Sequence, residues 1–333
     1  MSTRPVILHI VDDTTPGGVM RVLEHLVTCP LVAQSAEHTF QSVRRDRPLP
    51  GVRADIIVSH LSISWRSLPK LISFRARHAT TPLVHVEHSY TEAFTALNVP
   101  SRARFYTLLR TAYALFDRVV AVSEAQGEWL RNRALVRAQA LRVIASCVNL
   151  DRFRSLPRSN AAPTRFGAIG RLDRQKGFDL LIDAFRAVPN PSLRLDIFGD
   201  GPELPALKSQ AAGDPRIHFR GHSASPEAAI ASVDAVLMPS RWEAFGLVAL
   251  EARSAGRPMV LTKVDGLADQ ATDGVTTLKG HVASAWSDAI AALSKQAPQG
   301  DIAASTANAE AVFAEGWSSL ISELHGEVEK QAA

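Results

Sequence analysis

Residues 166–187, FGAIGRLDRQKGFDLLIDAFRA, form the stretch that decides the fold. An apolar run, Phe166–Ile169, is followed by a basic loop between Gly170 and Gly177 and then by an amphipathic segment that begins at Phe178. A strand that is apolar on both faces indicates a parallel sheet covered by helices on both sides. The stretch therefore predicts one strand–loop–helix unit of an α/β fold.

The same alternation of apolar runs and amphipathic segments extends along the chain in both directions. We predict strands at Val6–Val11, Asp55–Val58, Leu83–Val86, Arg118–Val122, Phe166–Ile169, Leu193–Phe198, Ile217–Arg220, Ala235–Met238 and Met259–Leu261. We predict helices at Gly18–Thr28, Trp65–Arg77, Ser101–Phe116, Glu124–Arg133, Phe178–Ala187, Glu203–Ala212, Pro226–Ser232, Leu247–Ala255, Ser284–Lys295 and, at the end, Asn308–Glu329. Two such series predict two Rossmann-like, doubly wound parallel-sheet domains.

The boundary between the two series is expected near Ser155–Thr164, where prolines and polar residues cluster. We predict an N-terminal domain over residues 1–155, a C-terminal domain over 164–306, and a terminal segment, 307–333, that crosses back to the N-terminal domain. Ligands of open α/β sheets bind beyond the carboxyl ends of the strands. Two domains that face each other would therefore form a ligand-binding cleft.

Composition and charge limit the classes of protein to which the chain can belong. The 333 residues are 46% hydrophobic and 21% charged, which is ordinary for a globular chain, and no apolar run is long enough to span a bilayer. Two cysteines offer no disulfide framework. Up to Phe166 there are 22 Arg and Lys against 12 Asp and Glu, and after it 15 against 21. The basic first half favours an anionic ligand, an anionic lipid surface or nucleic acid, or else carries a solvated Arg-rich surface.

The basic loop after the strand Phe166–Ile169 has the features of an anion site. Arg171 and Lys176 lie in this loop, directly before the helix that begins at Phe178. A helix N-terminus offers free N–H groups and the positive end of a dipole. This combination suits a diphosphate whose negative charge grows during bond cleavage, although an ordinary loop with solvated charges would have the same residues. The loop does not follow the Walker pattern.

A second motif, residues 239–252 (PSRWEAFGLVALEA), follows the predicted strand Ala235–Met238. Glu243 lies in its loop, and Glu251 lies within an otherwise apolar helix. A buried carboxylate needs a hydrogen-bonding partner. A pair of sugar or ribose hydroxyls would supply one, and so would a neighbouring arginine, Arg253 or Arg257.

Together the two motifs resemble glycosyltransferase family 4, retaining enzymes with the GT-B fold of two facing Rossmann-like domains and a cleft between them. Four further segments agree with the family: Gly17–Leu23, Val119–Glu124, Phe198–Pro202 and Phe219–His222. The resemblance spans almost the whole chain and is strongest from Phe166 to Val260. The segment Ser146–Phe153 departs from it, since it lacks the glycine of the family pattern N-G-V-D.

The resemblance implies a role for each matching residue. Arg171 and Lys176 would hold the donor diphosphate, Glu243 would contact a hydroxyl of the donor sugar, and Glu251 would bind the ribose. His88 would stand near the reacting carbon. The other donor-binding positions that the resemblance implies are Gly17, Gly18, Gly199, Gly221, Phe245, Gly246 and Leu247. The leaving diphosphate itself would accept the proton of the acceptor, so no protein base is required.

No cofactor or metal is expected. The chain has no Asp-x-Asp pattern that would bridge a diphosphate through a metal. His85 and His88 are close in sequence, but strand alternation would point them to opposite faces, which argues against zinc.

The resemblance implies transfer of a hexose-type sugar from a nucleotide sugar, UDP-sugar before GDP-sugar, to a lipid or glycan acceptor in glycolipid or polysaccharide synthesis. Two alternatives remain: a catalytically silent nucleotide-sugar-binding module, and a nucleotide-sugar epimerase. We expect a cytoplasmic protein that does not bind nucleic acid. Peripheral contact with an anionic membrane is a further hypothesis. The helix Ser101–Phe116, with apolar and Arg residues, would then lie at the interface, or else face the core.

Overall fold

The computed structural model describes residues 4–223 and 225–332, which form two units. The first unit holds the chain up to Asn149 together with the residues from Ala309 onward. The second unit runs from Leu150 to Asn308. The first boundary therefore precedes the predicted Ser155–Thr164 stretch, because the short helix Asp151–Arg154 packs on the helix Leu247–Ser254 of the second unit.

The first unit contains a parallel six-stranded sheet in the order β2-β1-β3-β4-β5-β6. Its strands are β1 (Val6–Val11), β2 (Glu37–Ser42), β3 (Ile56–His60), β4 (Leu83–Glu87), β5 (Arg118–Ala121) and β6 (Leu141–Val143). Its helices are α1 (Gly18–Thr28), α2 (Leu68–Arg77), α3 (Glu92–Asn98), α4 (Arg102–Tyr113), α5 (Glu124–Asn132) and the terminal helix α13 (Ala309–Ala332). Every residue of β3 and β4 is buried, as expected for central strands of a covered parallel sheet.

The terminal helix α13 belongs to the core of the first unit. Its residues Phe313, Trp317 and Leu320 are at most 3% exposed. Glu323, one turn further on, pairs with Arg118 at 2.7 Å and with Arg142 of β6. The helix is therefore attached both by apolar burial and by ion pairs with two strands.

The second unit repeats the architecture, with the strand order β12-β11-β10-β7-β8-β9. Its strands are β7 (Arg165–Ile169), β8 (Arg194–Phe198), β9 (Ile217–Gly221), β10 (Ala235–Met238), β11 (Met259–Thr262) and β12 (Val275–Leu278). Its helices are α6 (Asp151–Arg154), α7 (Phe178–Ala187), α8 (Leu204–Ala211), α9 (Pro226–Ala231), α10 (Leu247–Ser254), α11 (Asp265–Ala268) and α12 (Ala283–Leu293). Phe166, Phe185 and Trp286 are fully buried and anchor the core between sheet and helices.

Every predicted strand and helix is present, with ends that shift by a few residues, but three strands and the short helices α3, α6 and α11 were not predicted. The missing strands, β2, β6 and β12, all lie at sheet edges. Five of the six residues of β2 are exposed, and β6 has only three residues. An edge strand is covered on fewer sides, so it lacks the continuous apolar run of a central strand.

Helix α4 faces the core. Leu108, Leu109, Ala112 and Tyr113 are at most 3% exposed, and Phe116 just beyond the helix is equally buried. The apolar residues that suggested a membrane-interfacial helix therefore belong to the packed interior of the first unit. Within the two described stretches of the chain, none of the helices combines the length and the apolar character needed to cross a bilayer.

Candidate functional site

The site in the second unit lies where the order of its strands reverses. β7 lies between β8 and β10, so the chain builds outward from one side of β7 and later returns to its other side. The loops after β7 and β10 therefore leave the same edge of the sheet side by side, which is where open α/β sheets bind ligands. These loops are Gly170–Gly177 and Pro239–Gly246, the two motifs singled out from the sequence.

An ion pair joins the two loops. Lys176 Nζ lies 2.5 Å from Glu243 Oε2, although the residues are 67 positions apart, and the side chains are only 17% and 13% exposed. Ser240 Oγ donates to the same carboxylate oxygen at 3.4 Å. An anion could replace Glu243 as the partner of Lys176, and a hydroxyl group could replace Lys176 as the partner of Glu243.

Glycines allow the backbones at this edge to approach each other. Gly177 has a φ of 67°, and a Cβ added there would lie 2.3 Å from the carbonyl oxygen of Pro239. Gly199, which follows β8, has a φ of 140°, and its Cβ would lie 1.8 Å from the carbonyl oxygen of Gly170. Any larger residue at either position would push the loops apart.

Arg171 is placed differently from Lys176. Its side chain is 70% exposed and pairs with Asp173 at 2.9 Å, within its own loop. The structure therefore brings Lys176 and Glu243 together but leaves Arg171 at the surface of the same loop, and its role toward a diphosphate stays a prediction.

The start of α10 forms part of the same edge. Gly246 precedes the helix with a φ of 92°, and no side chain in the described residues caps this N-terminus. Phe245 is 9% exposed, whereas Leu247, the first residue of the helix, is partly exposed. The unused N–H groups of a helix start can bind an anion, which fits the donor-binding role that the family resemblance implies for Phe245, Gly246 and Leu247.

Glu251 lies on the inner side of α10 and is fully buried. Its two neighbouring arginines make hydrogen bonds elsewhere: Arg253 donates to Gln270 Oε1 at 2.7 Å and to Ser305, and Arg257 donates to the carbonyl of Ile230 at 3.3 Å. The role of Glu251 as a ribose ligand stays a prediction.

Gly221 ends β9, and its carbonyl accepts a hydrogen bond of 2.7 Å from the N–H of Gly199. A Cβ at Gly221 would meet open space. The contact brings the ends of β8 and β9 together at the edge that carries the Lys176–Glu243 pair. The donor-binding roles of Gly199 and Gly221 stay predictions.

Sequence reasoning missed the residues that brace the two loops. The N–H of Arg241 donates to the carbonyl of Gln175 at 2.7 Å, and Gln175 Nε2 donates to the carbonyl of Trp242 at 3.1 Å. The guanidinium of Arg241 makes two hydrogen bonds, of 2.9 and 2.6 Å, to the carboxylate of Asp179 in α7. These residues stabilise the site only because two loops that are distant in sequence meet, so no local sequence pattern could have identified them.

In the first unit, Gly17 and Gly18 lie at the start of α1 and are exposed. Gly17 is extended, with a φ of 178°, and its Cβ would come no closer than 3.7 Å to another atom. Nothing in this geometry requires glycine at position 17, so a ligand-related role for it stays a prediction.

His88 follows β4 and is partly exposed. One of its ring nitrogens, Nε2, lies 2.7 Å from His60 Nδ1. Burial lowers the pKa of His88 to about 4, and the neighbouring Glu87 partly opposes that shift. His88 is therefore neutral near pH 7.

Glu87 braces the loop that carries His88. Its Oε1 accepts hydrogen bonds from the N–H groups of Ser89 and Tyr90, at 2.7 and 2.9 Å, and its Oε2 accepts one from the Tyr113 hydroxyl at 2.7 Å. Burial would raise the pKa of Glu87, but His85 and these hydrogen bonds hold it below its usual value. This carboxylate, which sequence reasoning did not single out, stabilises the turn of the chain after β4.

His85 and His88 do not converge. His85 lies beside Glu87, Tyr113 and Phe116, whereas His88 lies beside His60. No group of three or more His, Cys, Asp or Glu residues within 4–223 and 225–332 is arranged to hold a metal ion.

Two family models match the chain, one in each half. The model described as Glycosyltransferase Family 4 matches residues 16–152, and the model described as Glycosyl transferases group 1 matches residues 163–296. The chain belongs to glycosyltransferase family 4.

Two curated relatives of this family 4 chain have the same name, D-inositol 3-phosphate glycosyltransferase. The protein from Arthrobacter sp. (strain FB24) is 37% identical over 162 residues, which span 44% of this chain and 38% of that protein. The protein from Nocardia farcinica (strain IFM 10152) is 28% identical over 328 residues, which span 87% of this chain and 71% of that protein.

A solved structure agrees with the family 4 assignment at the level of the fold. The crystal structure of Anabaena Alr3699/HepE in complex with UDP and glucose matches with a TM-score of 0.67 and 19% identity, over 98% of each chain. With its two parallel six-stranded sheets and flanking helices, the family 4 chain has the GT-B fold.

Proposed function

We propose that this chain is a retaining, metal-independent glycosyltransferase that moves a hexose-type sugar from a nucleotide diphosphate sugar to a lipid or glycan acceptor. Membership of glycosyltransferase family 4 supports sugar transfer. UDP-sugar is the first candidate donor and GDP-sugar the second, since the structural neighbour HepE was crystallised with UDP and glucose. The Lys176–Glu243 pair at the strand-order reversal of the second unit is the observation that carries the proposal.

Lys176 and the start of α10 would hold the diphosphate. Breaking the bond between sugar and phosphate leaves an oxocarbenium-like sugar and a more negative diphosphate. A fixed cation and preorganised N–H groups stabilise that developing charge more than they stabilise the bound donor, which is the condition for catalysis. Arg171, exposed on the same loop, would supply a second cation.

Glu243 would bind a hydroxyl of the donor sugar. When the diphosphate takes over Lys176, the Glu243 carboxylate loses its ion-pair partner in a site that is largely shielded from water. An unsatisfied charge there would be costly, and a sugar hydroxyl that donates to Glu243 removes that cost. Diphosphate and sugar would therefore bind together better than either alone.

The chemistry needs no protein base. The acceptor hydroxyl attacks the anomeric carbon on the face from which the diphosphate leaves, so the configuration is retained. The proton of that hydroxyl passes to the leaving diphosphate oxygen, which gains negative charge as the bond breaks. Fixed cations would thus stabilise the leaving group while it acts as the base.

For the acceptor, a second candidate beside a lipid or glycan is a polyol phosphate. It is favoured by the names of the curated relatives and by the excess of Arg over acidic residues in the first half of the chain. Arginine forks match phosphate oxygens well, so a phosphorylated acceptor suits that charge. Product analysis with an inositol phosphate, a lipid-linked sugar and a glucan oligosaccharide separates these candidates.

A thermal-shift series tests the donor site first. Purified protein is heated with UDP, GDP, ADP or NAD, alongside the Lys176→Ala variant and Lys208→Ala, an exposed lysine of α8 that serves as the control. A ligand at a hundred times its dissociation constant stabilises by roughly 2.7 kcal/mol, which is a shift of a few degrees. We expect the shift with UDP, its loss in Lys176→Ala and its persistence in Lys208→Ala.

Four outcomes contradict the proposal. A shift that survives in Lys176→Ala places the nucleotide elsewhere, and no shift with any nucleotide removes the donor site. Binding of UDP-sugar with no transfer to any acceptor and no hydrolysis indicates a silent binding module, and conversion of one UDP-sugar into another indicates an epimerase.

A further inference from the structure

Four histidines of the first unit form a continuous hydrogen-bonded chain. His38 Nδ1 lies 2.9 Å from His9 Nε2, His9 Nδ1 lies 2.8 Å from His60 Nε2, and His60 Nδ1 lies 2.7 Å from His88 Nε2. His38, His9 and His60 are at most 7% exposed, while His88 is partly exposed. This histidine chain (His38–His9–His60–His88) therefore runs from the interior to a surface.

The sheet itself builds the chain. The histidines lie on β2, β1, β3 and directly after β4, which are consecutive neighbours in the sheet. In the strand register, His38 of β2 pairs with Ile7 of β1, which lies two residues before His9. In the same way, His9 pairs with Val58 of β3, which lies two residues before His60. A stagger of two residues keeps all rings on one face and sets them end to end.

The hydrogen bonds of the chain must all point the same way. A neutral imidazole has one N–H and one lone pair, so a ring that is bonded at both nitrogens donates once and accepts once. His9 and His60 are each bonded at both nitrogens. The three bonds can therefore all run from His38 toward His88 or all run back, and no neutral mixture of the two directions exists.

Burial keeps the four rings neutral. It lowers the pKa of His38 and of His88 to about 4, and it lowers the pKa of His9 and His60 well below the usual value. Near pH 7 a protonated ring, which would reverse the bonds at one point, is therefore a minor species.

His38, at the inner end of the histidine chain, determines the direction of its hydrogen bonds. His38 Nε2 is buried and makes no hydrogen bond to any described residue, and the ring of Trp317 of α13 lies nearly perpendicular to the His38 ring, with 6.1 Å between the ring centroids. A buried N–H without an acceptor is rarer in folded proteins than a buried lone pair without a donor. The proton of His38 therefore belongs on Nδ1, so the bonds run outward to His88 Nε2.

The outer end then has a defined chemistry. The free ring nitrogen of His88, Nδ1, makes no hydrogen bond within the described part of the chain, and it is not among the buried atoms that lack a partner. Solvent, or a ligand, can reach it. With Nε2 accepting from His60, the single proton of His88 lies on this open nitrogen.

We propose that His38, His9 and His60 are positioning residues that hold His88 as its Nδ1–H tautomer, so that His88 donates a hydrogen bond to an oxygen atom of a bound substrate. The contact with a substrate rests on the proposed function, whereas the tautomer does not. In this arrangement His88 cannot accept a proton at its open nitrogen unless the whole histidine chain reverses. The chain thus makes His88 a donor that binds and orients, and excludes it as a base.

Nitrogen-15 NMR of histidine-labelled protein at pH 7.5 tests the tautomer without any assay of activity. His88→Gln serves only to assign the His88 signals. We expect a pyrrole-type Nδ1 and a pyridine-type Nε2 for His88. The opposite pattern in the unaltered protein, or bound zinc at one ion per chain, would overturn the proposal.

Variants of the inner end test the coupling. His38→Phe fills the space against Trp317 but removes the donor to His9, so His88 should shift to a mixture of tautomers. His38→Asn retains a donor in the place of Nδ1 and should keep the Nδ1–H form, as should His218→Phe, a control in the second unit. An unchanged His88 tautomer in folded His38→Phe would contradict the coupling between His38 and the His88 tautomer. If His38→Phe does not fold, loss of the Nδ1–H form of His88 in His38→Asn would contradict it.

Kinetics add a second readout. In His38→Phe we expect kcat to fall by roughly ten- to a hundredfold, the range for losing a residue that orients a functional histidine, with UDP affinity unchanged. His38→Asn should restore most of it. An unchanged kcat together with a mixture of His88 tautomers would overturn the role of His88 as a hydrogen-bond donor to the substrate. If the unaltered protein binds no UDP, the proposed function fails while the NMR result still decides the tautomer.

Discussion

At the scale of single residues, the candidate donor site depends on a close approach that only glycine permits. Lys176 and Glu243 meet because the backbone at Gly177 lies against the carbonyl of Pro239. Gly177 also has a positive φ, so it combines a backbone conformation that disfavours side chains with a lack of space for one. These two costs can be separated by experiment.

We predict that Gly177→Ala destabilises the protein more than Gly213→Ala does. Gly213 has a φ of 86° but open space around its Cβ, so alanine there meets only the conformational cost, about 1 to 2 kcal/mol. Alanine at Gly177 adds the contact of 2.3 Å with Pro239, which forces the two loops apart. Urea unfolding and UDP titration of both variants measure the effect.

The expected result is a larger loss of unfolding free energy in Gly177→Ala, with weaker UDP binding only in that variant. Equal stability and equal UDP affinity in the two variants would show that the loops tolerate separation and that the site does not depend on their close approach.

At the scale of elements, α13 shows how a terminal segment becomes part of a distant core. Its apolar residues pack into the first unit, and its Glu323 meets Arg118 and Arg142 on the two strands β5 and β6. Ion pairs at a surface contribute little each, so the buried apolar side chains should dominate the attachment.

We predict that Leu320→Ala, on the buried side of α13, lowers the unfolding free energy by roughly 2 to 5 kcal/mol through lost burial and a cavity. Val312→Ala, on the same helix, should change it by less than about 0.5 kcal/mol, because Val312 is 59% exposed. Hydrogen exchange of the α13 amides reports the local effect. Equal exchange in the two variants would show that the helix is not held by its apolar side.

At the scale of the whole molecule, the buried histidine chain links stability to pH. The pKa of His38 is about 4 in the fold, against 6.5 for an ordinary histidine. Between these two values the unfolded chain binds more protons than the folded one, so stability is full above about pH 7 and is lost as the pH falls toward 4. Protonation of His38 alone accounts for a loss of about 3 kcal/mol at most.

We therefore predict that stability measured by urea unfolding declines from pH 7.5 to pH 4.5, and declines less steeply in His38→Phe. His218→Phe, outside the histidine chain, should retain the slope of the unaltered protein. A slope in His38→Phe as steep as in the unaltered protein would mean that His38 does not titrate with a lowered pKa.

Much of the fold could be predicted because central strands and the helices between them carry strong local patterns. Val6–Val11, Gly18–Thr28, Phe178–Ala187 and Ala235–Met238 were predicted to the residue. The edge strands β2, β6 and β12 were missed, since a strand with one open side needs no continuous apolar run. The attachment of Asp151–Arg154 to the second unit also lay outside the reach of local pattern, because it depends on packing against α10.

By itself the sequence determined the α/β class, the family and the two loops that hold the candidate donor site, because glycines, cations and carboxylates recur there at characteristic spacings. Only the tertiary structure decided that Lys176 pairs with Glu243, that Arg171 instead pairs with Asp173, and that Arg241 braces both loops. It also decided that four histidines scattered between positions 9 and 88 form one chain. The physical reason is that strand order and register, which local sequence does not encode, set which side chains become neighbours.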